Sequence, residues 1–97
     1  MNLSVKANSS RYEKSSIRKA VSFALNSAAS NARQRFEHYA VICRKFEKKH
    51  KMTSAKFMEQ FDAGKLGDHQ EFFDWYAGAR GLNLWRERYE ILSGVSV

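Results

Sequence analysis

The sequence predicts an all-α protein: a long N-terminal helix, a short middle helix and a C-terminal helix, folded into a helical hairpin or three-helix module behind a flexible basic N-terminal tail. Three observations predict it. Proline is absent, and the chain is rich in Ala, Lys, Glu, Arg and Leu, residues that cost little in a helix. Nothing between Ser16 and His50 breaks a helix, and Ile17, Val21, Ala24, Ala28, Ala32, Phe36, Tyr39, Cys43 and Phe46 recur in steps of three or four, which is one stripe of a helical surface. No stretch alternates apolar and polar residues as a half-buried strand does.

Residues 1–15 are polar, with Asn8-Ser9-Ser10 and Ser15-Ser16, and hold too little apolar surface to order themselves. They are expected to form a flexible basic tail. The long helix that follows changes character along its length. From Ala20 to Ala32 its stripe is mostly Ala, Ser and Asn, whereas from Phe36 to Phe46 it is bulky. The thin part, 16–35, is expected to be an extended basic arm that orders against a partner or a second copy. The bulky part begins a compact aromatic module, 36–93.

Met52-Thr53-Ser54 reads as a turn with a hydroxyl N-cap, opening a short helix with Phe57, Met58 and Phe61 on one side. Lys56 stands where a capping box wants Glu. Gly64 closes that helix as its left-handed residue, with Leu66 folding back over the turn. Asp68 then reads as an N-cap with Glu71 three residues on, opening a third helix from about His69 to Leu92. Phe72, Trp75, Tyr76, Ala79, Leu82, Trp85, Tyr89 and Leu92 share one side of it, and Gly94 ends it. Gly78 and Gly81 inside it cost about 1 kcal/mol each relative to Ala, and mark a bend or a close approach by helix one. Most of the 13 aromatics lie from Phe46 onward, so the core belongs to the C-terminal part, with Phe36–Phe46 antiparallel to the third helix.

At 97 residues the chain makes one domain with a modest core. No apolar run approaches the roughly 20 residues that span a bilayer, and residues 1–14 lack the apolar segment of a secretory signal. The single Cys43 suits a reducing compartment. A cytoplasmic protein with no membrane partner is therefore expected. The net charge of +7 is unevenly spread: residues 1–51 hold 12 basic and 3 acidic residues (+9), and residues 52–97 hold 5 and 7 (−2). Two surfaces with different roles follow from that division.

Candidate chemistry is sparse. His38, Cys43 and His50 are scattered around the helix instead of converging on a metal, and Asp68, Glu71 and Asp74 fit helix capping better than acid–base catalysis. Neither a catalytic set nor a metal or cofactor site is expected. Gly78-Ala79-Arg80-Gly81 has the Gly-x-x-Gly of a KH loop, but that module needs a sheet, so helix packing is its role. Lys6, Arg11, Lys14, Arg18, Lys19, Arg33, Arg35, Arg44, Lys45, Lys48 and Lys49 form the candidate set for nucleic-acid or partner contact. Trp75, Tyr76 and Trp85 are the candidate hot spot for a protein partner.

The segment from Phe46 to Leu92 carries a resemblance. Phe46-Glu47-Lys48-Lys49-His50-Lys51-Met52-Thr53-Ser54, then Phe57 to Phe61 with Gly64-Lys65-Leu66-Gly67-Asp68, then Phe72-Phe73-Asp74-Trp75-Tyr76 and Leu84-Trp85, look like a group of short helical archaeal and bacterial proteins. In that group a "KFEKKYGM(S/T)" stretch precedes "F…G.LGD…FF(D/E)WY". This chain departs from it at His50-Lys51, where the group has Tyr-Gly, and at Lys56, where the group favours an acid. Many members are taken to be antitoxins of two-gene modules. The resemblance implies an antitoxin-like binding protein, not an enzyme, that neutralises a toxin encoded by an adjacent gene through direct contact. Promoter DNA on the basic arm and a second copy along the long helix are further candidate partners. Two alternatives stay open: a stand-alone basic nucleic-acid-binding or architectural protein, and a helical ribonuclease similar to the HEPN type, whose Arg-to-His spacing Arg33–His38 and Arg44–His50 both match.

Overall fold

The computed structural model describes residues 11–95, and they contain three helices: α1 (Lys14–His50), α2 (Ser54–Asp62) and α3 (Gln70–Ser93). The all-α architecture is as the sequence predicts. At 37 residues α1 is about 55 Å long, and the molecule measures 61 × 22 × 19 Å. Among the described residues no helix is long and apolar enough to cross a membrane. The predicted tail lies mostly outside the described residues, Lys6 included, and the helix begins at Lys14, inside its expected end.

α1 and α3 form the antiparallel hairpin, and its seam follows a coiled-coil spacing. On α1 the inward positions are Ala29, Ala32, Phe36, Tyr39, Cys43, Phe46 and His50; on α3 they are Leu92, Tyr89, Trp85, Leu82, Gly78, Trp75 and Glu71. Each set alternates steps of three and four, the 3.5-residue repeat of two helices wound about each other. Direct contacts fix the register: His50 to Glu71, the Phe46 and Trp75 rings 5.7 Å apart, and Phe36 against Tyr89 at 5.4 Å. This corrects the sequence reading of the α1 stripe. Ala24 and Ala28 are exposed, and the inward face passes through Leu25 and Ala29 instead. Reading the stripe mostly in steps of four drifts off a seam that repeats every 3.5 residues.

The two glycines inside α3 permit the close approach. A Cβ on Gly78 would stand 3.3 Å from Ile42 Cγ2, and one on Gly81 only 2.8–2.9 Å from three carbons of the Tyr39 ring. α2 packs across the closed end of the hairpin. Its start is capped by Thr53, whose Oγ1 accepts from the Lys56 amide at 3.2 Å. The acid missing at Lys56 is supplied from α1, since Glu47 Oε2 accepts from the Ser54 amide at 2.8 Å. At the other end Gly64, at φ 69°, donates to Phe61 O, while Lys65 donates to Gln60 O, a Schellman closure.

Two terminus expectations are corrected. Asp68 does not cap α3: the N-cap is His69, without a side-chain cap hydrogen bond. Glu71 turns from its own backbone to α1, where Lys49 Nζ meets one carboxylate oxygen at 2.6 Å and His50 Nε2 stands 3.2 Å from the other. The ion pair with Lys49 holds it more strongly than a cap one residue off register. The arm boundary also moves. α3 ends at Ser93, and the register places Leu92 opposite Ala29, so α1 is packed from Ala29 onward and stands uncovered by α3 over 14–28.

Lys51 closes α1 in the left-handed region, at φ 53°, where an L side chain costs about 1–2 kcal/mol. Lys51→Gly should therefore raise stability by roughly 1 kcal/mol, read as a higher urea midpoint at unchanged slope. Gly81→Ala should do the opposite. Its helix-propensity gain of about 1 kcal/mol is outweighed by driving a methyl into the Tyr39 ring, so a net loss of about 1–2 kcal/mol is expected in the same measurement.

Candidate interaction surface

Most of the aromatic residues are committed to the closed end of the hairpin. Trp75 is 1% exposed, with its ring parallel to Phe57 at 3.9 Å and its N–H donating to Ser54 Oγ at 2.9 Å. Tyr76 stacks on Phe61 at 4.5 Å, and its hydroxyl donates to Asp62 Oδ1 at 2.8 Å. Of the three residues singled out as a protein hot spot, Trp75 is thus in the core and Tyr76 is tied to α2. Trp85 stands apart from them, half-buried towards the open end of the hairpin.

The basic candidates divide by position. Arg33 is paired with Glu37 at 3.0 Å, an exposed pair on one helix. Lys49 Nζ meets Glu71 Oε2 at 2.6 Å, and His50 Nε2 stands 3.2 Å from Glu71 Oε1. The His50 ring also lies against Trp75 and Phe72. Arg44, Lys45 and Lys48 project from the outer face of α1, and Lys14, Arg18 and Lys19 from its uncovered part. Arg11 lies over Tyr12 at 5.5 Å. Arg35 faces the Trp85 ring at 4.7 Å, and Arg88 faces the same ring at the same distance.

Arg88 was missed by the sequence reading, as was Phe23. The first sits one helical turn after Trp85, a visible spacing, but its partnership with Arg35 exists only through the register of the two helices. Phe23 falls off the stripe and is 75% exposed on the uncovered part of α1. A shallow depression of 420 Å³ runs from it along the outer face through Ser27 and Ser30 to Gln34. A second cleft, of 260 Å³, opens between the helices and is lined by Glu47, Ser54, Met58, Asn83 and Arg86 among others.

His38 and His50, the two histidines of the ribonuclease-like spacings, lie about 18 Å apart along α1. His38 rests edge-on against Tyr39. Among the described residues no three His, Cys, Asp or Glu side chains are grouped to hold a metal. Cys43 is buried in the seam, and that burial pushes its thiol above its ordinary pKa. No family model, curated protein or solved structure matches the chain.

The hydrogen bond from Lys49 holds the Glu71 carboxyl below its ordinary value of 4.5, with His50 adding to the effect against a smaller opposing effect of burial. Its folded-state value lies below its unfolded one. The linked stability is therefore complete above that ordinary value and is lost as pH falls through the folded value. Urea midpoints between neutral and acid pH should fall less steeply below that value in Glu71→Gln than in the parent chain.

Proposed function

We propose that this chain is a non-catalytic binding protein of the antitoxin type, which docks the uncovered half of α1 on a partner protein encoded beside it. The observation that carries the reading is that part of α1 itself. It projects beyond the end of α3, with Phe23 75% exposed and Lys19 one turn before it on the same face, while Lys14 and Arg18 add positive charge on other faces of the helix. A helix of about fifteen residues is marginal in water without packing, so a partner surface is its natural complement. The charge selects that surface: one large apolar side chain with a lysine a turn before it, on a helix that is basic overall, suits an acidic face with an apolar pocket. The resemblance of Phe46–Leu92 to antitoxin-type proteins supports the same reading.

The packed module would act as the handle that presents this helix, with the α1–α3 seam as its rigid base. Co-expression with the product of the adjacent gene, followed by size exclusion, should yield a stable complex. The double variant Phe23→Ser/Lys19→Glu should keep its helicity and weaken that complex by at least about tenfold, roughly 1.4 kcal/mol. A complex of undiminished affinity would place the contact elsewhere, and no complex would refute the reading.

A further inference from the structure

At the open end of the hairpin two arginines face one ring, and neither forms an ion pair with the acids nearby in the chain, Glu37, Glu87 and Glu90. Arg35 from α1 and Arg88 from α3 each place a guanidinium 4.7 Å from the centroid of the Trp85 ring. No carboxylate stands three or four residues from either arginine in either direction. Among the described residues the ion pairs all lie elsewhere, at Arg33, Lys49 and His50. Arg35 gives one N–H to the neutral Asn31 Oδ1 at a long 3.4 Å, and Arg88 has no acceptor within hydrogen-bond reach among the described residues. Each contact with the indole face returns only about 0.5–1 kcal/mol, and it leaves the in-plane N–H donors of the guanidinium unused. The fold has thus brought two cations from separate helices to one ring and equipped neither with an anion.

We propose that Arg35, Trp85 and Arg88 form a binding site for the phosphates of a nucleic-acid strand. A planar guanidinium steadied on a ring matches phosphate oxygens with two parallel donors, and its own face accepts a stacked base. A nucleic-acid strand fits better than a small phosphate compound, because two guanidiniums brought by separate helices to one ring can take two phosphates of one strand. The net charge of +7 has the sign that draws such a ligand in. This site is separate from the Phe23 region and does not rest on the antitoxin-like reading.

The test is fluorescence anisotropy of a labelled single-stranded oligonucleotide of about 20 residues, titrated with the full chain from about 50 mM salt upward. Arg35→Gln/Arg88→Gln should weaken binding at least about tenfold and lower the slope of log K against log salt by about 1.4, the value for two single-strand phosphates. Arg35→Lys/Arg88→Lys should keep the parent slope, and Phe23→Ser should leave both affinity and slope alone. Circular dichroism checks the fold; if the double Gln variant melts, Arg88→Gln alone should show about half the slope change. Absence of binding by the parent chain overturns the proposal, as does an unchanged slope in the Gln variants. Binding to heparin, or to vesicles rich in phosphatidylserine, as tight as binding to the oligonucleotide would also overturn it in favour of a general polyanion or a membrane surface.

Discussion

The structure depends on the burial of one indole where all three helices meet. Trp75 of α3 lies flat against Phe57 of α2 and faces Phe46 and His50 of α1, so its two sides join the second and third elements to the first. Its N–H would be an orphan in that setting, and Ser54, the first residue of α2, accepts it. The orientation of α2 follows, because Ser54 is also held through its amide by Glu47 of α1. A large ring, one satisfied donor and one carboxylate thus place a nine-residue helix too short to be stable by itself.

From that junction outward the packing thins in one direction. Beyond Phe46 the seam passes Cys43 and Gly78, then Tyr39 against Gly81, then Phe36 with Tyr89, and ends on Ala32 and Ala29. Small residues let the helices approach in the middle, and small residues leave little apolar area to bury at the far end. The same gradient sets what surface remains. The closed end turns most of its aromatics inward, leaves Phe73 half-exposed against Phe61, and carries the Lys49–Glu71 ion pair outside. The open end keeps Trp85 half-buried between arginines, and beyond it α1 continues without α3.

A single left-handed residue sets the turn between α1 and α2. Lys51 is the non-glycine residue held at positive φ among the described residues. The turn between α1 and α2 needs that conformation to bring Thr53 and Ser54 under Trp75. This chain meets the need with a lysine at the C-terminal end of α1, where a positive charge complements the helix dipole and offsets part of the backbone strain.

The sequence by itself determined the three helices, their order and most of their ends. Helical periodicity, a hydroxyl cap at Thr53 and a glycine at 64 act within a few residues of chain, and local chemistry is sufficient to read them. It also located the core from Phe36 onward, because bulky aromatics have to be buried together. Tertiary structure decided what depends on two elements at once. The phase of the α1 stripe shifted from Ala24 and Ala28 to Leu25 and Ala29 because two wound helices repeat every 3.5 residues. Glu71 exchanged a capping role for α1 because Lys49 and His50 came within reach. Trp75 and Trp85, alike in the sequence, separated into a buried keystone and an arginine-flanked surface ring, since α2 covers one end of the hairpin and stops short of the other. Helix register carries that information, and register is a property of the pair of helices, absent from either one alone.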